Sequence, residues 1–197
     1  MLSIREDKEI ETLLLKSEAL LKGHFILSSG LHSNRYVQCA KFFQYPAYAE
    51  LAAQKLARLY QDTPIDVVIG GAFGGITIAY ELARALGVRG LFCERVEGIF
   101  QLRRGFEIKP GEKVLIAEDV VTTGKSIDEV AQLVKQHGGE VVGVASLVDR
   151  HMPDPEKLPY RFEWLHSVQA EAFDPASCPL CLEGKEPAIK PGSRGMK

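Results

Sequence analysis

The chain has no apolar run near the roughly 20 residues that a membrane span requires, so no spanning helix is expected. It has almost no charge imbalance. Its 24 basic and 26 acidic residues leave a formal net charge of −2, so no basic field marks a nucleic-acid partner. Its four cysteines, Cys39, Cys93, Cys178 and Cys181, are too few for a disulfide framework. A reduced, cytoplasmic setting is the simpler reading. The N-terminal MLSIREDKEIETLL is charged throughout, which does not fit a signal peptide. No internal repeat stands out. What is present is ordinary globular composition, 46% hydrophobic and 25% charged over 197 residues, enough for one domain with a sizeable core.

Apolar and charged positions alternate at helical spacing over residues 6–21 (Ile10, Leu13, Leu14, Leu20, Leu21), predicting one helix there. GHFILSSGLHSNRYVQCAKF reads as a hairpin around a Ser-Ser-Gly turn. PAYAELAAQKLARLY reads as a helix opened by Pro46. Short apolar runs then alternate with helical patterns. DVVIGG, GLFCE, KVLIAED and EVVGVASLVD are the runs; GITIAYELARALG and GKSIDEVAQLVKQHGG are the helices, each closing on glycine. That alternation predicts a parallel sheet with right-handed crossovers, whose ligands bind beyond the carboxyl ends of the strands. Residues 94–112 have no clear period and read as a long functional or mobile loop. From about residue 175 the chain is rich in Pro and Gly and is expected to run over the surface.

The most informative stretch is VLIAEDVVTTGKS, residues 114–126. Its GKS ending suggests a nucleotide-triphosphate P-loop, but the glycine that pattern needs five residues before Gly124 is Asp119. A strand ending in two carboxylates, Glu118 and Asp119, calls for hydroxyl donors or a cation. The Thr- and Gly-rich turn that follows leads into a helix, whose amides and dipole suit an anion. A sugar phosphate satisfies both ends. The plainer reading of TTGKS alone is a capped helix start.

VLIAEDVVTTGKS resembles the phosphoribosyl-pyrophosphate (PRPP) signature of the type I phosphoribosyltransferases. GHFILSSGLHSNRYVQCAK, LRRGFEIKPGEKVLIAEDVVTTG and SLVDR are similar to the hood, the loop-plus-signature and the orotate-facing strand end of the orotate-using branch. The resemblance extends from about residue 10 to 195. It implies an α/β fold with a central parallel sheet flanked by helices and a small N-terminal hood. The whole chain would be one domain: a hood at about 1–45 plus a C-terminal segment, and a core at about 46–165. The implied reaction joins orotate to the ribose of PRPP, giving orotidine 5′-phosphate and pyrophosphate in pyrimidine synthesis. Mg²⁺ would enter bound to PRPP, with no protein ligands of its own.

By the same resemblance, Glu118 and Asp119 hold the ribose hydroxyls. Val120, Val121, Thr122, Thr123, Gly124, Lys125 and Ser126 wrap the 5-phosphate, and GGAFGG, from Gly70 and Gly71 to Gly75, meets the pyrophosphate. Residues 94–112 match the family's catalytic loop, which many members furnish with lysines and a histidine. Here the cations are Arg95, Arg103, Arg104 and Lys109, and no histidine is present. Arg95 follows a strand end directly and ranks first, with Asp119, as a catalytic residue. Arg150, with Thr122, is expected to face orotate; Phe25, Ser28, Ser29 and Lys41 in the hood are further candidates. A homodimer with shared active sites is implied, with no nucleic acid or membrane partner. A purine-base phosphoribosyltransferase and a ligand-sensing regulator that keeps the sugar-phosphate site stay open as alternatives.

CPLC, with Cys178 and Cys181, has zinc-knuckle spacing but supplies only two of the four ligands a structural site needs. A second pair across a dimer, or His166, would have to complete it; a small buried turn is the plainer reading.

Overall fold

The computed structural model describes residues 5–27, 29–150 and 158–191. Six strands form the main sheet: β3 (Val67–Gly71), β4 (Arg89–Val96), β5 (Ile99–Leu102), β6 (Lys113–Val121), β7 (Glu140–Asp149) and β8 (Phe162–Ser167). Their order is β5-β4-β3-β6-β7-β8, all parallel except β5, which turns back antiparallel against β4. β3 lies in the middle and all five of its residues are buried, as a central parallel strand requires.

Alternation along the strands feeds two apolar layers. Val68, Leu115 and Ala117 face one layer, completed by α3 (Pro46–Leu59) and α4 (Gly74–Leu86). Val67, Ile69, Val114 and Ile116 face the other, completed by α5 (Lys125–Gln136). The helices end where the sequence signals them. Pro46 opens α3, and Gly87, at φ 70°, closes α4 in the left-handed region.

A second, three-stranded sheet forms the hood: β1 (Leu20–Ile26), β2 (His32–Val37) and β9 (Ala172–Phe173), ordered β1-β2-β9. Two sequence expectations are corrected around it and along the sheet edge. The N-terminal helix, α1, spans only Lys8–Lys16. It starts on Asp7, whose carboxylate accepts from the Glu9 and Ile10 amides, and it stops at Ser17; Glu18 then takes φ 55°, and Leu20 and Leu21 enter β1. Residues 94–112 are not one irregular loop. Their first half is the β4–β5 hairpin, missed because Glu97-Gly98 is its turn, both residues with positive φ. The C-terminal segment runs over the surface as expected, but it is ordered by local structure and backbone pairing. It carries α6 (Pro179–Glu183), and Ile189 exchanges backbone hydrogen bonds with the β1 strand: Ile26 N donates to Ile189 O at 2.8 Å, and Ile189 N to His24 O at 2.9 Å. A short helix α2 (Cys39–Phe43) leads from the hood into the core.

Candidate active site

Because β3, β4, β6, β7 and β8 run parallel, their carboxyl ends share one edge. That edge gathers Gly70–Gly75, Arg95, residues 118–126 and Arg150.

Glu118 and Asp119 are both half-buried at the end of β6. Burial, then the adjacent Asp119 charge, pushes the Glu118 carboxyl up to about 8. Burial raises Asp119 as well, and the two carboxyls interact through a hydrogen bond. Asp119 Oδ1 also accepts from the Val120 amide at 2.9 Å. Without a partner the pair therefore keeps a proton near neutral pH. Hydroxyl donors or a cation would release it.

The GGAFGG turn sits against this pair, and its glycines are needed for close approach. A Cβ on Gly74 would lie 2.6 Å from Asp119 Oδ1, and one on Gly75 2.9 Å from Ala117 O. On Gly70 it would lie 2.2 Å from Gly75 O. The Ala72–Phe73 peptide is cis.

After Val121 the chain turns through Thr122 and Thr123 to Gly124, which caps α5 at φ 77°. Residues Glu118, Val120–Ile127 and the first turn of α5 line a small polar hollow. Thr123 Oγ1 accepts weakly from the Lys125 amide at 3.4 Å. The N-terminus of α5 offers free first-turn amides of the kind that suit an anion. A second hollow, of about 460 Å³, opens between Asp119, the Gly74 turn and the hood exit; Gln38, Phe73 and Thr77 line it. That size is in the range of small-molecule sites.

Arg95 lies close enough to lower the Glu118 carboxyl somewhat. Its guanidinium is engaged: it pairs with Glu129 of α5, donates to Gly98 O and stacks 4.0 Å over the Phe100 ring. Arg104 pairs with Glu94 at 2.9 Å. The side chains of Arg103 and Lys109 have no hydrogen bond or ion pair among the described residues.

Arg150 follows β7, and its amide donates to Val121 O at 2.8 Å, which locks it beside the β6 end. Its Nε is buried with no hydrogen-bond partner among the described residues, and burial lowers the guanidinium's proton affinity. A buried guanidinium donor without an acceptor is costly, so this position calls for an anion. Tyr36 of β2 is an electrostatic neighbour of this guanidinium.

The hood candidates separate. Phe25 is buried, 3% exposed, with its ring 5.8 Å from that of Tyr36, so it backs Tyr36 from inside the hood. Ser29 sits exposed at the hairpin tip. Lys41 pairs with Glu18 at 2.7 Å. Ser28 lies outside the described residues. Tyr36 of β2 and Gln38, which follows the strand and precedes α2, escaped the sequence reading. Cys39 is a buried thiol whose Sγ lies 3.8 Å from Asp119 O; burial raises it well above the usual thiol range. Cys178 and Cys181 lie away from this edge, against His24 and His32 of the hood, and His166 is not among that group.

The fold and site together define a sugar-phosphate transferase of the parallel α/β type. The chain belongs to the phosphoribosyltransferase family: residues 41–174 match the phosphoribosyl transferase domain. It is 50% identical to the orotate phosphoribosyltransferase of Caldanaerobacter subterraneus subsp. tengcongensis over 97% of this chain and 100% of that one. It is 53% identical to the orotate phosphoribosyltransferase of Caldicellulosiruptor bescii, over 90% of this chain and 93% of that one. The crystal structure of orotate phosphoribosyltransferase from Aeropyrum pernix superposes with a TM-score of 0.69, at 25% identity, over 81% of this chain and 94% of that one. No helix among the described residues is long and apolar enough to cross a membrane.

Proposed function

We propose that this chain transfers the 5-phosphoribosyl group of PRPP to orotate, giving orotidine 5′-phosphate and pyrophosphate in pyrimidine nucleotide synthesis. The observation that carries the choice of base is Arg150: a guanidinium at the strand end next to the acidic pair, with a buried Nε that has no hydrogen-bond partner among the described residues. Orotate brings a planar carboxylate that such a fork binds through parallel hydrogen bonds. Uracil and the purine bases bring none.

In this reading the α5 N-terminus and residues 120–126 hold the 5-phosphate. Glu118 and Asp119 accept hydrogen bonds from the ribose hydroxyls, and their carboxylates face the positive charge that grows on the ribose as the C1–pyrophosphate bond breaks. The electron pair of that bond leaves with pyrophosphate; a ring nitrogen of orotate supplies the pair for the new bond to C1 and gives up its proton to the departing pyrophosphate or to solvent. Backbone amides of Gly70–Gly75 and the cations of residues 94–112 face the leaving group. The repelling carboxyl pair also fits a divalent cation carried in by PRPP, and Mg²⁺ would neutralise charge on the departing pyrophosphate. Tyr36, backed by Phe25, supplies a ring beside Arg150 for the flat base.

The working unit in this reading is a homodimer. An apolar groove lined by Ile76, Tyr80, Leu91, Phe92 and Phe106 suits a second copy. Arg95 stays with its own acidic pair, and Arg103 and Lys109 are the loop cations left to reach a neighbouring site.

The deciding experiment offers PRPP and Mg²⁺ with orotate, uracil, adenine and hypoxanthine in competition. Orotate alone should be consumed at an appreciable rate, with one pyrophosphate released per orotidine 5′-phosphate formed. Preferred turnover of a purine, or binding of PRPP with no turnover of any base, would overturn the assignment.

A further inference from the structure

We propose that His24, His32, Cys178 and Cys181 form a four-ligand zinc site that staples the C-terminal segment to the hood hairpin. Nothing in the transfer chemistry uses these residues, and the proposal stands independently of the orotate reading.

His24 and His32 face each other across the β1–β2 hairpin, His24 Nε2 lying 2.8 Å from His32 Nδ1. Cys178 caps α6 and Cys181 lies in its first turn, so both thiols point to one side. Cys178 Sγ is 3.5 Å from His24 Nε2, and Cys181 Sγ is 3.7 Å from His24 Nε2 and 3.3 Å from His32 Nδ1. All four donor atoms lie within 4.8 Å of one another, which leaves room for one ion rather than a cluster. A tetrahedral shell with Zn–N near 2.0 Å and Zn–S near 2.3 Å separates its donors by roughly 3.3–3.8 Å. The hood already holds them near that spacing.

A second observation points the same way. His24 Nδ1 lies 3.1 Å from Glu186 O. A carbonyl only accepts, so Nδ1 carries the proton and the Nε2 lone pair points into the group. This is the outer hydrogen bond that metal-ligating histidines make. Three of the four residues are buried, Cys178 at 1% exposure and His24 at 4%, and no carboxylate joins them. Two thiolates and two neutral imidazoles bring a charge of −2, which one Zn²⁺ cancels as two thiol protons are released to solvent. An S₂N₂ tetrahedron selects zinc over magnesium or calcium. Four protein ligands leave no open position, so the site is structural.

The location explains why a staple is useful. β9 pairs with β2 through only two residues, so the hood sheet has little of its own to hold the tail. The cluster closes contacts 149 to 157 residues apart in sequence. It fixes the segment whose Ile189 pairs with β1 and lines a groove with Tyr36.

Elemental analysis of the full chain purified from zinc-supplemented cells should give one zinc per chain. X-ray absorption should show two sulfur and two nitrogen neighbours at the distances above. Co²⁺ replacing zinc should give the intense visible bands of a tetrahedral thiolate site. Cys181→Ser, at an exposed thiol, should lose the metal and lower the melting temperature, and chelation of the wild type should lower it likewise. If the variant fails to fold, the Co²⁺ spectrum of the wild type decides. Reduced wild-type protein that takes up neither Zn²⁺ nor Co²⁺, an octahedral Co²⁺ spectrum, or a Cys178–Cys181 disulfide in metal-free protein would overturn the proposal.

Discussion

The main sheet and the hood are built on opposite principles. The main sheet buries every side chain of its central strand and packs helices on both faces. The hood has three short strands, two buried histidines and a tail held by backbone pairing and the His/Cys cluster. In the proposed reading, the chemistry common to all phosphoribosyl transfer falls on the edge of the sheet, and the choice of base falls where the hood meets that edge, at Tyr36 and Arg150. A general reaction is thus placed on the part that packing over-determines, and selectivity on a part that can differ without disturbing the core.

Substitutions can test that division, beginning with stability. Leu115→Ala removes a fully buried side chain from the main core and should cost about 2–5 kcal/mol in a denaturant titration. Leu31→Ala in the hood removes a side chain 37% exposed and should cost no more than about 0.5 kcal/mol. Equal costs would erase the contrast.

Asp119→Asn comes next. It should keep the circular dichroism spectrum, because the side chain sits at a strand end. A charged hydrogen bond is worth roughly 1.5–3 kcal/mol, so turnover should fall at least about tenfold. Steady-state kinetics on the folded variant checks this.

The acidic pair should also leave a pH signature in the ligand-free protein. Glu118 titrates near 8 when folded and near the usual carboxylate value when unfolded. Between those values the folded state holds the extra proton, so stability should fall as pH rises from about 5 through 8. The melting temperature should drop between pH 6 and 8.5, and Glu118→Gln should flatten that slope. PRPP, by supplying hydroxyl donors and a cation, should flatten it too. An unchanged slope in the variant would mean that another group titrates.

Much of the main sheet could be read from sequence, because buried parallel strands are continuous apolar runs and their helices end on glycine. The geometry of residues 118–126 was legible because the two carboxylates and the glycine-capped helix follow one another directly in sequence. The hood was harder. Leu20 and Leu21 continue the helical spacing of α1, and only the left-handed Glu18 diverts them into β1. The β4–β5 hairpin was obscured because its turn is Glu97-Gly98, and charge around a turn looks like a loop. His24 and His32 meet Cys178 and Cys181 only through tertiary folding, so a local motif showed half of that cluster. Tyr36 was overlooked because only the fold brings it near Arg150, which is remote in sequence.

The central claim is that the base carboxylate and the sugar phosphate are held by separate groups on one strand edge. Arg150→Ala tests it most directly, through the Michaelis constants for orotate and PRPP measured on the same preparation. Loss of a charge-assisted contact worth roughly 1.5–3 kcal/mol should raise the orotate constant about 10- to 100-fold and leave the PRPP constant nearly unchanged. Equal rises in both constants, or a rise in the PRPP constant alone, would contradict the account.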